Sequence, residues 1–139
     1  MINSMEKSNE EKSNEEKSNQ ILELELDDRH KFIELLNSNQ GVYIFKFTAS
    51  WCRGCKKIES YVHKKFIEIT NLSKTTYCFT LDVDDNFDIY AHLKHKKMVS
   101  GIPVLLCYVK GNTEYYSSDS ISGTNITEID AFFERCKNY

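Results

Sequence analysis

Thr48-Ala49-Ser50-Trp51-Cys52-Arg53-Gly54-Cys55-Lys56-Lys57 stands at a change of pattern. Before it, Val42-Tyr43-Ile44-Phe45-Lys46-Phe47 is nearly continuous in apolar residues, as in a central strand covered on both faces, with Lys46 as an interruption. After it, Ile58, Tyr61, Val62, Phe66 and Ile69 recur at helical spacing. The Cys-x-x-Cys pair therefore opens a helix that follows a strand. A sulfur at that point faces unpaired backbone N–H groups and the positive end of the helix dipole. Both favour the thiolate, which is the nucleophilic form. The second sulfur, one turn later on the same face, is placed to attack a mixed disulfide formed on the first. The layout is that of a dithiol redox site, or of an imitation of one.

Working outward, Ile21-Leu22-Glu23-Leu24-Glu25-Leu26 alternates with period two, as a half-buried strand does. Asp27 or Asp28 then caps a helix carrying Phe32, Ile33, Leu35 and Leu36 and ending near Gly41. Thr76 to Val83 reads as a strand, and Asp84-Asp85-Asn86 supplies caps for a helix from Phe87 to Leu93. Val104 to Val109 is a buried strand. Lys110-Gly111-Asn112 is the turn of a hairpin whose return strand holds Tyr115 and Tyr116. Asn125 with Glu128 starts a final helix with Ile129, Phe132, Phe133 and Cys136 on its inner face. The order β-α-β-α-β-α-β-β-α implies an α/β fold, a mixed sheet of about four to five strands with helices on both faces.

The 139 residues suffice for one domain and one core. A net charge of −3 argues against nucleic-acid binding. No apolar stretch approaches a membrane span, and the N-terminus is too polar for the core of a signal peptide. A cytoplasmic, reducing location is expected, where five cysteines are not a disulfide framework. The Lys- and Asn-rich usage resembles that of AT-rich viruses and eukaryotic microbes, which keeps a virion open as a location. Residues 6–20 repeat Glu-Lys-Ser-Asn-Glu with no apolar side chain, so residues 1–20 are expected to form a polar tail and residues 21–139 the domain. Cys78, Cys107 and Cys136 read as small core residues, with oxidation or dimer formation left open for Cys136 by its place near the C-terminus. His92 and His95, with the Cys pair, raise a zinc reading, but the two pairs fall in different elements, and no metal or cofactor is expected.

Trp51-Cys52-x-x-Cys55-Lys56 after an apolar strand, with Leu81-Asp82-Val83-Asp84-Asp85, Gly101-Ile102-Pro103 and Gly123-Thr124-Asn125 following in order, resembles the thioredoxin family from Ile21 to the C-terminus. The resemblance implies the thioredoxin-like fold and thiol–disulfide exchange, with Cys52 as nucleophile and Cys55 as resolving thiol. It also implies a cis Pro103 facing the sulfurs, a backbone at Ile102 that pairs with an extended substrate, and Trp51 as a flat platform; a plain core aromatic is the alternative for Trp51. Gly101 belongs to the same substrate-binding loop. Partners would be protein disulfides and a dithiol donor such as a thioredoxin reductase, with the chain a monomer. A glutaredoxin is the weaker resemblance, since residue 102 is Ile.

Five positions depart from the family pattern: Arg53-Gly54 replaces Gly-Pro between the cysteines, Lys46 replaces the buried acid, Thr80 the accompanying lysine, and Ser60 the helix-kinking proline. Arg53, and Lys46 if charged, would favour the Cys52 thiolate and make the pair less reducing. A buried neutral Lys46 would instead be a base, and a Lys46 reaching the surface would be neither. A catalytically weakened interaction or packaging protein is the second functional class.

Overall fold

The computed structural model describes residues 19–139. The repeat at residues 6–20 therefore lies outside the described residues, apart from Asn19 and Gln20. Nine elements follow: β1 (Ile21–Glu23), α1 (Arg29–Asn37), β2 (Val42–Thr48), α2 (Arg53–Leu72), β3 (Thr76–Asp82), α3 (Phe87–His95), β4 (Val104–Val109), β5 (Asp119–Ser122) and α4 (Ile126–Lys137). The sheet order is β1-β3-β2-β4-β5, with β1, β3 and β2 parallel and β4 and β5 antiparallel to their neighbours. This is the mixed sheet that the element order implies, in the thioredoxin-like form that the resemblance implies.

Alternation along the strands makes two apolar layers. Tyr43, Phe45 and Phe47 of β2 meet Phe32 and Leu36 of α1 and Ile89 and Leu93 of α3. Val42 and Ile44 face the other way, onto Ile58, Val62, Phe66 and Ile69 of α2 and Ile129, Phe132 and Phe133 of α4. Each such side chain stabilises the fold by roughly 1.5–3 kcal/mol through burial. Helix α2 is thus held along its length, and this fixes where its first turn stands. No helix among the described residues is long and apolar enough to cross a membrane.

Local chemistry sets the ends. Asp28 caps α1, accepting from the N–H of His30 at 2.8 Å, and Asn125 caps α4 by accepting from Glu128 N–H at 3.1 Å. Strand β1 ends before the alternation does, because Asn86 takes over the backbone: its amide donates to Leu24 O (2.9 Å) and its oxygen accepts from Leu26 N–H (2.7 Å). Asn86 holds the N-cap position of α3 but makes no cap hydrogen bond there. Gln20, assigned to the tail by sequence, is tied in: its side-chain amide donates to Ser73 O and Thr76 O at 2.8 and 2.9 Å, at the far end of α2.

The hairpin differs from expectation. The return strand is Asp119–Ser122, and Tyr115 and Tyr116 lie in the connection. Asn112 is the reason: it donates to Tyr116 O and Ser118 Oγ and accepts from Glu114 N–H, so the side chain satisfies backbone that a strand would otherwise pair. Tyr115 is drawn inward instead, stacking on Phe32 and accepting at its carbonyl from the Tyr108 hydroxyl (2.5 Å).

Candidate functional site

The site grows from the end of β2. Cys52 is the N-cap of α2, with extended backbone, and its Sγ accepts from Cys55 N–H at 3.2 Å. A sulfur thus occupies the place a serine or aspartate oxygen holds at other helix starts. Cys52 and Cys55 form a disulfide with Cα atoms 5.3 Å apart, and they are 7% and 5% exposed. In that setting the helix N-terminus stabilises negative charge on Cys52.

Three other segments converge here. Trp51 is 66% exposed, which excludes a core role, and its indole N–H donates to Asp84 Oδ2 at 3.0 Å. The Ile102–Pro103 peptide is cis, and Pro103 is buried. A Cβ added to Gly54 would stand 3.4 Å from Pro103 Cδ and 3.1 Å from Thr124 Cγ2, so Gly54 is packed closely against both and a side chain there would require Thr124 to give by a few tenths of an ångström. Gly123, at φ +96°, donates its N–H to Pro103 O at 3.0 Å and turns Thr124 toward Gly54. Gly101 has open space where a Cβ would be. Among the described residues the backbone of Ile102 makes no hydrogen bond, so it is free to pair with an incoming chain.

Arg53 is exposed beside Cys52. Lys46 is 9% exposed, in register with Thr80 on β3 and Leu105 on β4. Its ammonium lies 5.7 Å from the centre of the Phe66 ring, about three turns along α2 from Cys55. Burial pushes its pKa below the usual lysine value, with Glu59 and Glu23 acting in the opposite sense. Lys46 is thus largely enclosed, in the wall of a cleft and not on an open face. His92 is engaged elsewhere, with Nδ1 2.7 Å from an Arg29 guanidinium nitrogen and its ring against Tyr115. No group of three or more potential metal ligands forms among the described residues.

One cavity lies beside Cys55, and a second adjoins it. The first, of about 310 Å3, is lined by Cys55, Glu59, Asp82 and Thr48 among others. The second, of about 710 Å3, shares Thr48, Glu59 and Asp82 with it and contains Lys46 and His63. Sequence reasoning missed Glu59, although its i,i+4 spacing from Cys55 puts both on one face of α2. It read Asp84 as a helix cap and not as the partner of Trp51, because nothing local marks a partner for Trp51 so far along the chain.

Comparison with known proteins agrees with this architecture. The family model described as Thioredoxin matches residues 23–135. Thioredoxin 3 of Plasmodium falciparum is 25% identical over 117 residues, 84% of this chain, and the chain spans 60% of that protein's length. Horse (Equus caballus) thioredoxin is 28% identical over 108 residues, 77% of this chain and 91% of its own. The crystal structure of thioredoxin from Trypanosoma brucei brucei superposes with a TM-score of 0.64 at 18% identity, covering 86% of this chain and 92% of that one, which shows the fold. With the family model spanning the sheet, the helices and the Cys52–Cys55 turn together, the chain belongs to the thioredoxin family.

Proposed function

We propose that this chain is a thiol–disulfide oxidoreductase acting on protein disulfides. The Cys52 thiolate attacks a substrate disulfide and expels one substrate thiol. Cys55 then attacks Cys52 Sγ, releasing the second thiol and leaving the Cys52–Cys55 disulfide, which an external dithiol donor such as a thioredoxin reductase returns to the dithiol. The observation that carries the reading is a Cys pair at a helix N-terminus beside a cis-proline loop with unpaired backbone at Ile102. An extended substrate would pair at Ile102 and lie across Trp51 and Gly101. The catalytic unit is residues 21–139 acting as a monomer.

We further infer that the pair is less reducing than an ordinary thioredoxin. Arg53 adds positive charge beside a thiolate that the helix end already favours, and stabilising the dithiol form raises its potential. Lys46, directed at Phe66, contributes less to this effect than Arg53. Insulin reduction driven by dithiothreitol tests the activity, with Cys52→Ala as control; turnover that survives the substitution overturns it. Equilibration in glutathione buffers tests the potential. A value at or below about −270 mV sinks the less-reducing inference.

A second reading is an interaction or packaging protein with weakened turnover, favoured by the lysine at the usual place of the buried acid. A binding module retains its partner when Cys52 is alanine; an oxidoreductase loses its mixed disulfide.

A further inference from the structure

The resolving step needs Cys55 as a thiolate, and Cys55 is 5% exposed. Something must take its proton. In the middle of β2, where the family resemblance places an acid, this chain has Lys46, whose ammonium lies over Phe66, well down α2. Glu59, by contrast, follows Cys55 at i,i+4 on α2, and both line the 310 Å3 cavity. Asp82 lines it too, with Oδ1 accepting from the N–H of Asp84 at 2.8 Å, but it reaches the cavity from β3 and not from the helix face that carries Cys55. Glu59 makes no hydrogen bond or ion pair among the described residues, so its carboxylate is free to accept a proton. Through Thr48, Glu59 and Asp82 this cavity joins the larger one holding Lys46, so Glu59 lines both the space beside the thiol and the space that holds the amine.

We propose that Glu59 is the proton acceptor for Cys55, with the Lys46 charge acting on it across the shared cleft rather than by contact, the two together taking the place of a single buried acid. This rests on the oxidoreductase reading above. In the step, the Cys55 S–H bond breaks and its proton goes to the Glu59 carboxylate, directly or through one water in the cavity. The Cys55 electron pair forms the bond to Cys52 Sγ as the Cys52–substrate S–S bond breaks. The departing sulfur keeps that bond's electron pair and is protonated by Glu59 or by solvent. One disulfide is exchanged for another, and no outside oxidant or reductant enters.

Other charged groups bear on Glu59. Glu23 and Glu25 face the shared cleft from β1 and the segment after it, Asp82 and Asp85 from the end of β3, and Lys56 and His63 from α2 itself. The three residues Cys55, Glu59 and His63 recur at four-residue steps, so one helix face carries the thiol, the acceptor and a further titratable group. Lys46, enclosed and on the far side of the cleft, offsets the carboxylates there, and Glu59 and Glu23 both favour its charged form.

The test separates the two chemical steps with 5,5′-dithiobis(2-nitrobenzoate) on the reduced full chain. The first nitrothiobenzoate reports attack by Cys52, and the second reports resolution by Cys55. In Glu59→Gln the first release is expected to be unchanged. The second is expected to fall about tenfold at pH 7, less than an enclosed base contributes because Glu59 is exposed, and to recover above pH 9. Glu59→Asp restores part of the loss, and Lys46→Met slows the second release less than Glu59→Gln does. A second release whose pH profile superimposes on wild type, or an equal fall in both releases, overturns the proposal while leaving the oxidoreductase reading intact. A wild-type chain that shows no second release overturns both.

Discussion

Cys52 and Cys78 are both nearly enclosed, at 7% and 0% exposed, yet their sulfurs sit in opposite chemical settings. Cys52 caps a helix, within reach of backbone N–H donors, on a rim built by Trp51, Pro103 and Thr124. Cys78 lies in the centre of β3 in a layer with Cys107 of β4 and Cys136 of α4, under α2 and α4. There, burial first and Cys107 second push the Cys78 thiol well above its usual range, and only Lys46 acts against them. A hydrogen bond with Cys107, then burial, raises the Cys136 thiol as well. Depth alone does not decide thiol reactivity. What decides it is whether the enclosing groups offer donors for the charged form.

The largest contrast should appear in turnover. Cys52→Ala is expected to reduce dithiothreitol-driven insulin reduction to background, while Cys136→Ala leaves it within about twofold at a temperature where both are folded. Equal losses from the two would erase the distinction between the regions. Next comes labelling of the reduced native protein. Iodoacetamide followed by mass mapping should modify Cys52 at least about a thousandfold faster than Cys78 or Cys136, because core thiols react only after an opening that costs several kcal/mol. Comparable rates would mean that the α2–α4 layer opens readily.

Stability should show a smaller effect. Cys107→Ser places a hydroxyl in an apolar layer and is expected to lower unfolding free energy in urea by about 2 kcal/mol, without changing the Cys52–Cys55 potential. Lys46→Met gives the smallest change and sharpens the comparison most. Burial lowers the Lys46 pKa in the fold below its ordinary 10.5. Between the lowered value and the ordinary one, the unfolded chain holds a proton that the folded chain has lost, so wild-type stability rises with pH across that window. Below it, the enclosed charge is destabilising. Methionine should therefore raise stability at pH 7 by about 1 kcal/mol and flatten the alkaline rise, and it should leave Cys78 still less ionised. Urea melts at pH 7 and pH 9.5 measure this; a steeper alkaline rise in the variant would contradict it.

The strand-to-helix switch around Cys52 was legible because periodicity changes within a few residues, from the Val42–Phe47 run to the Ile58–Ile69 stripe. The capping of α4 by Asn125 was legible for the same local reason. Tyr115 and Tyr116 misled because aromatic residues favour strands, while the competing interaction comes from one side chain, Asn112, that rewires the loop. Asn86 did the same at β1 from 60 residues along the chain, beyond the end of the parallel strand β3. At the site, the sulfurs, Trp51, Ile102 and Pro103 stood out by type and spacing. The direction of Lys46, the Trp51–Asp84 bond and the cavity that joins Glu59 to Cys55 depend on how α2 rests against β2 and β3, which no local pattern encodes.

The amide of Gln20 has a practical consequence. By bonding Ser73 O and Thr76 O it fixes the chain's entry to the fold at the C-terminal end of α2, while Cys52 caps the other end of the same 20-residue helix. At 1.5 Å per residue these points are about 30 Å apart. An affinity handle, fluorophore or surface anchor attached ahead of Gln20 is therefore joined to the fold far from the rim around Trp51, and an electrode coated through that end would present the sulfurs to solution.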